Sequence, residues 1–208
     1  MNKEGFDRYT ENYAGDRFYK EVFEQTIYEQ ILNAKSRDVI VDAGALAGEF
    51  AFWMLAHGAK KVYAIEPFLQ HYEELVENIK LVGAEDQVIP FQIALAGENS
   101  QRSIKDNGRG GNVLINYDET KQPIEGVTLA TFMQQNKIKR INILKIDVEN
   151  AELEIFSASD FETVADKIDC IIGEHFDVLD DVFINKYGFK SLRGERNLVF
   201  YKENKWAS

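Results

Sequence analysis

Three short stretches of this chain carry residue types and spacings that could do chemistry. The first is Asp42-Ala43-Gly44-Ala45-Leu46-Ala47-Gly48-Glu49-Phe50. Gly44 and Gly48 allow a tight turn and the close approach of a ligand where a β-carbon would clash. A helix opening after such a turn offers unpaired N–H groups to a carboxylate. The spacing is Gly-x-x-x-Gly, so it matches neither the Gly-x-Gly-x-x-Gly of dinucleotide enzymes nor the Gly-Lys-Ser/Thr ending of a phosphate-binding P-loop. The second stretch ends in Glu66-Pro67, and Glu66 lies 24 residues after Asp42. That is near the roughly 20-residue offset at which an acidic residue meets a ribose in nucleotide-binding sheets. Loop and acid together favour a ligand containing adenosine.

The third stretch is Leu144-Lys145-Ile146-Asp147-Val148-Glu149-Asn150-Ala151-Glu152. Strand alternation puts Lys145, Asp147 and Glu149 on one side and Leu144, Ile146 and Val148 on the other. Three ionisable residues in register at the end of a buried strand suggest an active-site rim. Acids near a helix N-terminus are stabilised by its dipole, which accounts for Glu149, Glu152 and Glu154 but least well for Asp147. His175 closes the next strand, where it would face Asp147 and could serve in acid-base work or contact a substrate. A divalent cation on Asp147, Glu149 and His175 stays open as a reading, although the spacing specifies no metal geometry.

The elements that must position these residues alternate. Strands are predicted over 38–42, 61–66, 87–95, 140–148 and 167–174, with a terminal hairpin formed by 188–192 and 197–201. Helices are predicted over 50–57 and 69–82, and another begins at 151–156. Strands alternating with helices imply a parallel sheet covered on both faces, with ligands at the carboxyl ends of the strands. Residues 97–126 form a long connection, read either as a substrate loop or hairpin in which Arg102 or Arg109 would meet an anionic group of the substrate, or as a mobile surface excursion. The N-terminal 1–35 are mostly helical by pattern and carry Tyr13, Phe18, Tyr19, Phe23 and Tyr28. Such a stripe packs on the sheet, covers the site or mediates self-association into a homo-oligomer.

A chain of 208 residues with 45% hydrophobic and 28% charged residues has the composition of one soluble domain, here 1–208. The net charge of −11 disfavours nucleic acid as a partner. Cys170, the one cysteine, sits in an apolar run and is expected to be a buried thiol in a reducing compartment. The first residues have neither the basic start nor the apolar stretch of a signal peptide, and no run is long enough to span a membrane. The expectation is a cytoplasmic protein with no membrane partner.

With these residues in view, the chain resembles the S-adenosylmethionine-dependent methyltransferases of the Rossmann-like class, and specifically the FkbM family, over roughly 38–202. The motif from Val41 to Phe50 is shared with the class. The motif from Leu144 to Glu152, with Ala64-Ile65-Glu66-Pro67 and the Gly126-Val127-Thr128-Leu129 lead-in, points to the family. The resemblance implies an α/β fold: a three-layer αβα sandwich whose seven-stranded, mostly parallel sheet has an antiparallel last strand. It implies that S-adenosyl-L-methionine is bound and S-adenosyl-L-homocysteine released. Asp42, Gly44, Ala45, Gly48, Glu49, Phe50 and Asp147 would surround the methionine end. Glu66 and Pro67 would lie at the ribose, and Ile93, Ala94 and Leu95 near the adenine. The implied reaction is methylation of a hydroxyl on a small molecule or sugar, with Asp147 or His175 as base and Lys145 or Glu149 orienting the acceptor. The chain departs from the family pattern at Asn150, where glycine is usual, and at Ala130, where aspartate often follows Thr-Leu. An inactive cofactor-binding regulatory or partner module is the alternative these departures support.

Overall fold

The computed structural model describes residues 1–25, 27–106, 112–148, 151–173, 180–194 and 197–207. Helices α1 (Lys3–Tyr13) and α2 (Arg17–Tyr19) lead through a π-helical turn and a 3-10 helix to Asn33. There follow β1 (Val39–Ala43), α3 (Glu49–Ala56), β2 (Lys61–Ile65), α4 (Leu69–Leu81), β3 (Val88–Phe91) and β4 (Ala94–Leu95). Next come β5 (Ser100–Asp106), β6 (Asn112–Asn116), β7 (Gln122–Val127), α5 (Leu129–Gln135), β8 (Ile143–Ile146) and α6 (Glu152–Phe156). The chain continues with α7 (Glu162–Ala165), β9 (Cys170–Gly173), α8 (Asp180–Tyr187), β10 (Lys190–Arg193) and β11 (Leu198–Tyr201).

Seven strands form one sheet in the order β10-β11-β9-β8-β1-β2-β3. All pairings are parallel except those of β11, which runs antiparallel to both β9 and β10. The last strand is thus reversed, as the family resemblance implied. Alternation divides the apolar side chains between the two faces. Ile40, Val62, Ile143, Ile172 and Val199 pack under α3, α4 and the N-terminal aromatics. Val41, Ile65, Leu144, Ile171 and Phe200 pack with side chains of α5, α6, α7 and α8 on the other face. Helix α3, apolar after Glu49, is buried because the N-terminal segment covers its outer side: Tyr9 meets Phe52 and Tyr28 meets Phe50 edge to face, each at 4.9 Å. Cys170 is buried on β9, and burial pushes its thiol well above the ordinary range.

Two expectations need correction. The strand read over 87–95 is two strands in two sheets, with Gln92 and Ile93 between them. β3 is the edge of the large sheet, which is where Pro90, lacking an N–H, is tolerated. β4 instead pairs with β7 in a second sheet of order β4-β7-β5-β6, so most of 97–126 is paired strand, and of the loop or hairpin expected there it takes the hairpin form, β5 lying antiparallel to β6. Arg102 is not free to meet an acceptor. Its guanidinium grips Glu154 of α6 with Nη1–Oε1 2.5 Å and Nη2–Oε2 3.0 Å, while Glu154 Oε1 also accepts from the Gly97 N–H. This bidentate pair fastens the second sheet to the helix that follows β8. Arg109 lies outside the described residues.

Candidate active site

The chain leaves β1 toward β2 and β3 on one side, and β8 joins β1 on the other. The carboxyl ends of β1 and β8 therefore flank the point where strand order reverses, the place where open α/β sheets bind ligands. A cleft opens there. Its floor and wall are Gly44, Ala45, Leu46, Glu49, Phe50, Lys145 and Asp147, and its cover is Arg17, Phe18, Glu21, Val22, Ile27 and Tyr28 of the N-terminal segment.

Asp42 and Lys145 are register partners on β1 and β8, facing the side covered by α3. The Lys145 ammonium donates to the Gly44 carbonyl at 2.8 Å, lies 3.4 Å from Asp42 Oδ1 and 3.7 Å from Asp147 Oδ2, and sits 5.9 Å from the centre of the Phe50 ring. Burial alone would pull this ammonium down, but the two carboxylates outweigh it and hold the group above the ordinary lysine range. Asp42 is fully buried and neither of its oxygens accepts a hydrogen bond from a described residue. Its contact with Lys145 is an ion pair without hydrogen-bond alignment, and burial raises its carboxyl to about 6 against the pull of that lysine. Asp147 follows β8 directly, with its N–H on the Ala43 carbonyl at 3.1 Å and its side chain 39% exposed, so its carboxylate can reach a ligand in the cleft.

The glycines answer to the protein itself. A β-carbon on Gly44, whose φ is +81°, would stand 1.9 Å from the Asp147 carbonyl oxygen, and one on Gly48, at φ +104°, would stand 2.6 Å from the Phe52 ring. The sequence reading assigned this room to a ligand, whereas the neighbours that require it are the backbone of β8's end and a core phenylalanine. Between them Leu46 also adopts a positive φ of 47°. It is held there by Glu66, whose Oε2 accepts from the Leu46 N–H and whose Oε1 accepts from the Phe68 N–H, both at 2.9 Å. Glu66 thus fixes the loop after β1. Each of its oxygens has about two acceptor sites, of which these bonds use one.

Of the residues expected at the site, Gly44, Ala45, Glu49, Phe50, Lys145 and Asp147 meet at the cleft. Asp42 lies beneath its floor. Gly48, Glu66 and Pro67 are not among its lining residues: Glu66 fixes the β1 loop through Leu46, the Pro67 carbonyl accepts from the Gln122 side chain, and Ala94 belongs to the second sheet, buried with Ile104 and Ile124. Glu149 and His175 lie outside the described residues. Sequence reasoning missed Arg17, Glu21 and His71. The Nδ1 of His71 is 3.9 Å from Glu66 Oε1 in the first turn of α4, and its place five residues after the acid was the available signal. Among the described residues no cluster of three or more His, Cys, Asp or Glu is arranged to hold a metal ion, and no helix is long and apolar enough to cross a membrane.

The fold and the cleft at its switch point define a Rossmann-like methyltransferase architecture. It is similar to TrmK of M. capricolum, solved with S-adenosyl-homocysteine, at a TM-score of 0.50 and 13% identity over 88% of this chain and 70% of that one. It is equally similar to a precorrin-6y C5,15-methyltransferase from Geobacter metallireducens, with a TM-score of 0.50 and 12% identity over 86% and 89% of the two chains. The methyltransferase FkbM domain matches residues 42–195, and the chain belongs to that family. Methyltransferase sdnD of Sordaria araneosa is 28% identical over 69% of this chain and 68% of its own length. Methyltransferase 1 of Beauveria bassiana is 23% identical over 80% of this chain and 71% of its own length.

Proposed function

We propose that this methyltransferase uses S-adenosylmethionine to methylate a hydroxyl oxygen of a small molecule or sugar. The observation that carries the reading is the position of Asp147, a half-exposed carboxylate in one cleft with the β1 loop and beside the Lys145 ammonium. The residues fit the cofactor. A molecule with a sulfonium and an ammonium suits a cleft bordered by Glu21 and Asp147, with the Asp42 carboxylate beneath it. Gly44, Ala45, Glu49 and Phe50 would hold the methionine end, and Glu66 the ribose.

When bound, S-adenosylmethionine supplies a methyl group activated by its sulfonium. The chain's part is to position the acceptor oxygen in line with that methyl group, which provides much of the rate. Asp147 would accept the hydrogen bond of the acceptor hydroxyl and take its proton as the carbon–oxygen bond forms and the carbon–sulfur bond breaks, S-adenosylhomocysteine leaving as a neutral thioether. Lys145, fixed by Gly44 and Asp42, orients Asp147. His175 and Glu149 remain expected contributors from the sequence. The net charge of −11 makes a small acceptor a better fit than nucleic acid.

The test is turnover of Asp147→Asn against a panel of hydroxylated metabolites and sugars. The expected result is a loss of about a hundredfold or more in turnover, well beyond any loss of cofactor affinity. Unchanged turnover would remove Asp147 from the mechanism. Binding of the cofactor by the wild-type protein with no turnover of any acceptor would favour the regulatory-module reading.

A further inference from the structure

The family match begins at residue 42, yet nearly half of the residues lining the cleft precede it. The N-terminal segment is therefore part of the site, and its chemistry is specific. Arg17 and Glu21 stand one turn apart and pair through Nε–Oε1 at 3.0 Å over the cleft. Asp16 fixes the backbone there, with its Oδ1 accepting from the Phe18 N–H at 2.7 Å and the Tyr19 N–H at 3.3 Å. Tyr28 anchors the far end of the segment edge to face on Phe50 at 4.9 Å.

The cleft's charges are unevenly distributed. Glu21 and Asp147 line it and Asp42 lies below, so an incoming carboxylate is repelled from the floor. The two cations differ in what they have to offer. Lys145 is committed to Gly44, Asp42 and Asp147. Arg17 uses Nε on Glu21, its Nη1 and Nη2 donate to no described residue, and its side chain is 72% exposed at the mouth.

On the reading that the cleft takes the amino-acid end of S-adenosylmethionine, we infer that Arg17 seats the cofactor's α-carboxylate and Glu21 faces its ammonium. The Arg17–Glu21 pair is complementary to a zwitterion, and the terminal nitrogens of a guanidinium match a carboxylate in two-point geometry. Arg17 is then a specificity residue for the cofactor, contributed by a segment outside the family match.

The experiment is calorimetric titration of wild-type protein, Arg17→Gln and Arg17→Lys with S-adenosylhomocysteine and with the same molecule lacking its α-carboxylate. Arg17→Gln is expected to weaken S-adenosylhomocysteine binding about tenfold or more, with Arg17→Lys in between, and to leave the decarboxylated compound's affinity unchanged. An unchanged affinity for S-adenosylhomocysteine, or an equal loss for both compounds, overturns the assignment while the cofactor reading stands. Failure of the wild-type protein to bind S-adenosylhomocysteine overturns both. The high exposure of Arg17 makes loss of folding an unsuitable explanation, and thermal unfolding of the variants checks this directly.

Discussion

The Lys145 ammonium stands 3.4 Å from Asp42 Oδ1, and the two residues are direct register partners across β1 and β8. A cation and an anion are thus built into the middle of a sheet whose other central positions are apolar. Such a pair adds little stability over well-packed apolar residues, but losing one partner strands a buried charge. It is best understood as a device that holds the β1 loop against the end of β8, because the same ammonium also bonds the Gly44 carbonyl and approaches Asp147.

Replacing Lys145 with Met should therefore destabilise the protein by about 3–5 kcal/mol in urea unfolding. The double variant Asp42→Asn with Lys145→Met should recover part of that loss, since the stranded charge is gone. A double variant no more stable than Lys145→Met would show that the pair is not coupled.

Gly44 and Gly58 offer a comparison of two glycines with similar backbone angles. Their φ values are +81° and +89°, but a β-carbon at Gly58 meets nothing within 4 Å, whereas at Gly44 it meets the Asp147 carbonyl oxygen at 1.9 Å. Gly58→Ala should cost about 1–3 kcal/mol from the angle alone. Gly44→Ala should cost distinctly more, because two strand ends must move apart. Equal losses in the two variants would mean that the contact with β8 is not tight.

Burial pushes the carboxyls of Asp42, Glu66 and Glu49 up to about 6, 7 and 8 respectively. An acid whose value is raised on folding binds its proton more tightly in the native state. Its contribution is complete below the unfolded value near 4 and is lost as the pH rises through the folded value. Thermal stability of the ligand-free protein should accordingly decline from about pH 5 to pH 8. Glu49→Gln should flatten the upper part of that decline, and an identical pH profile in this variant would contradict the assignment.

Much of this was legible in the sequence because it is local. The apolar runs around Val41 and Leu144 predict buried strands, and alternation alone puts Lys145 on the side opposite Leu144 and Ile146. The parts that were not legible depend on distant partners. Gly44 is constrained by the Asp147 carbonyl, and Arg102 is committed to Glu154, 52 residues away. Neither spacing leaves a local pattern. The break between β3 and β4 was hidden because both halves are apolar and extended, and only pairing with β7 separates them. The cover formed by Arg17 and Glu21 was missed because a charged pair one helical turn apart reads as an ordinary solvated face.

The central claim, that the cleft and the β1 loop bind S-adenosylmethionine, is tested most directly by calorimetric titration of the purified protein with S-adenosylmethionine and S-adenosylhomocysteine, with NAD as the control. Saturable binding of both at one site per chain, with none for NAD, is the predicted result. Absence of binding, or a preference for NAD, would contradict the account.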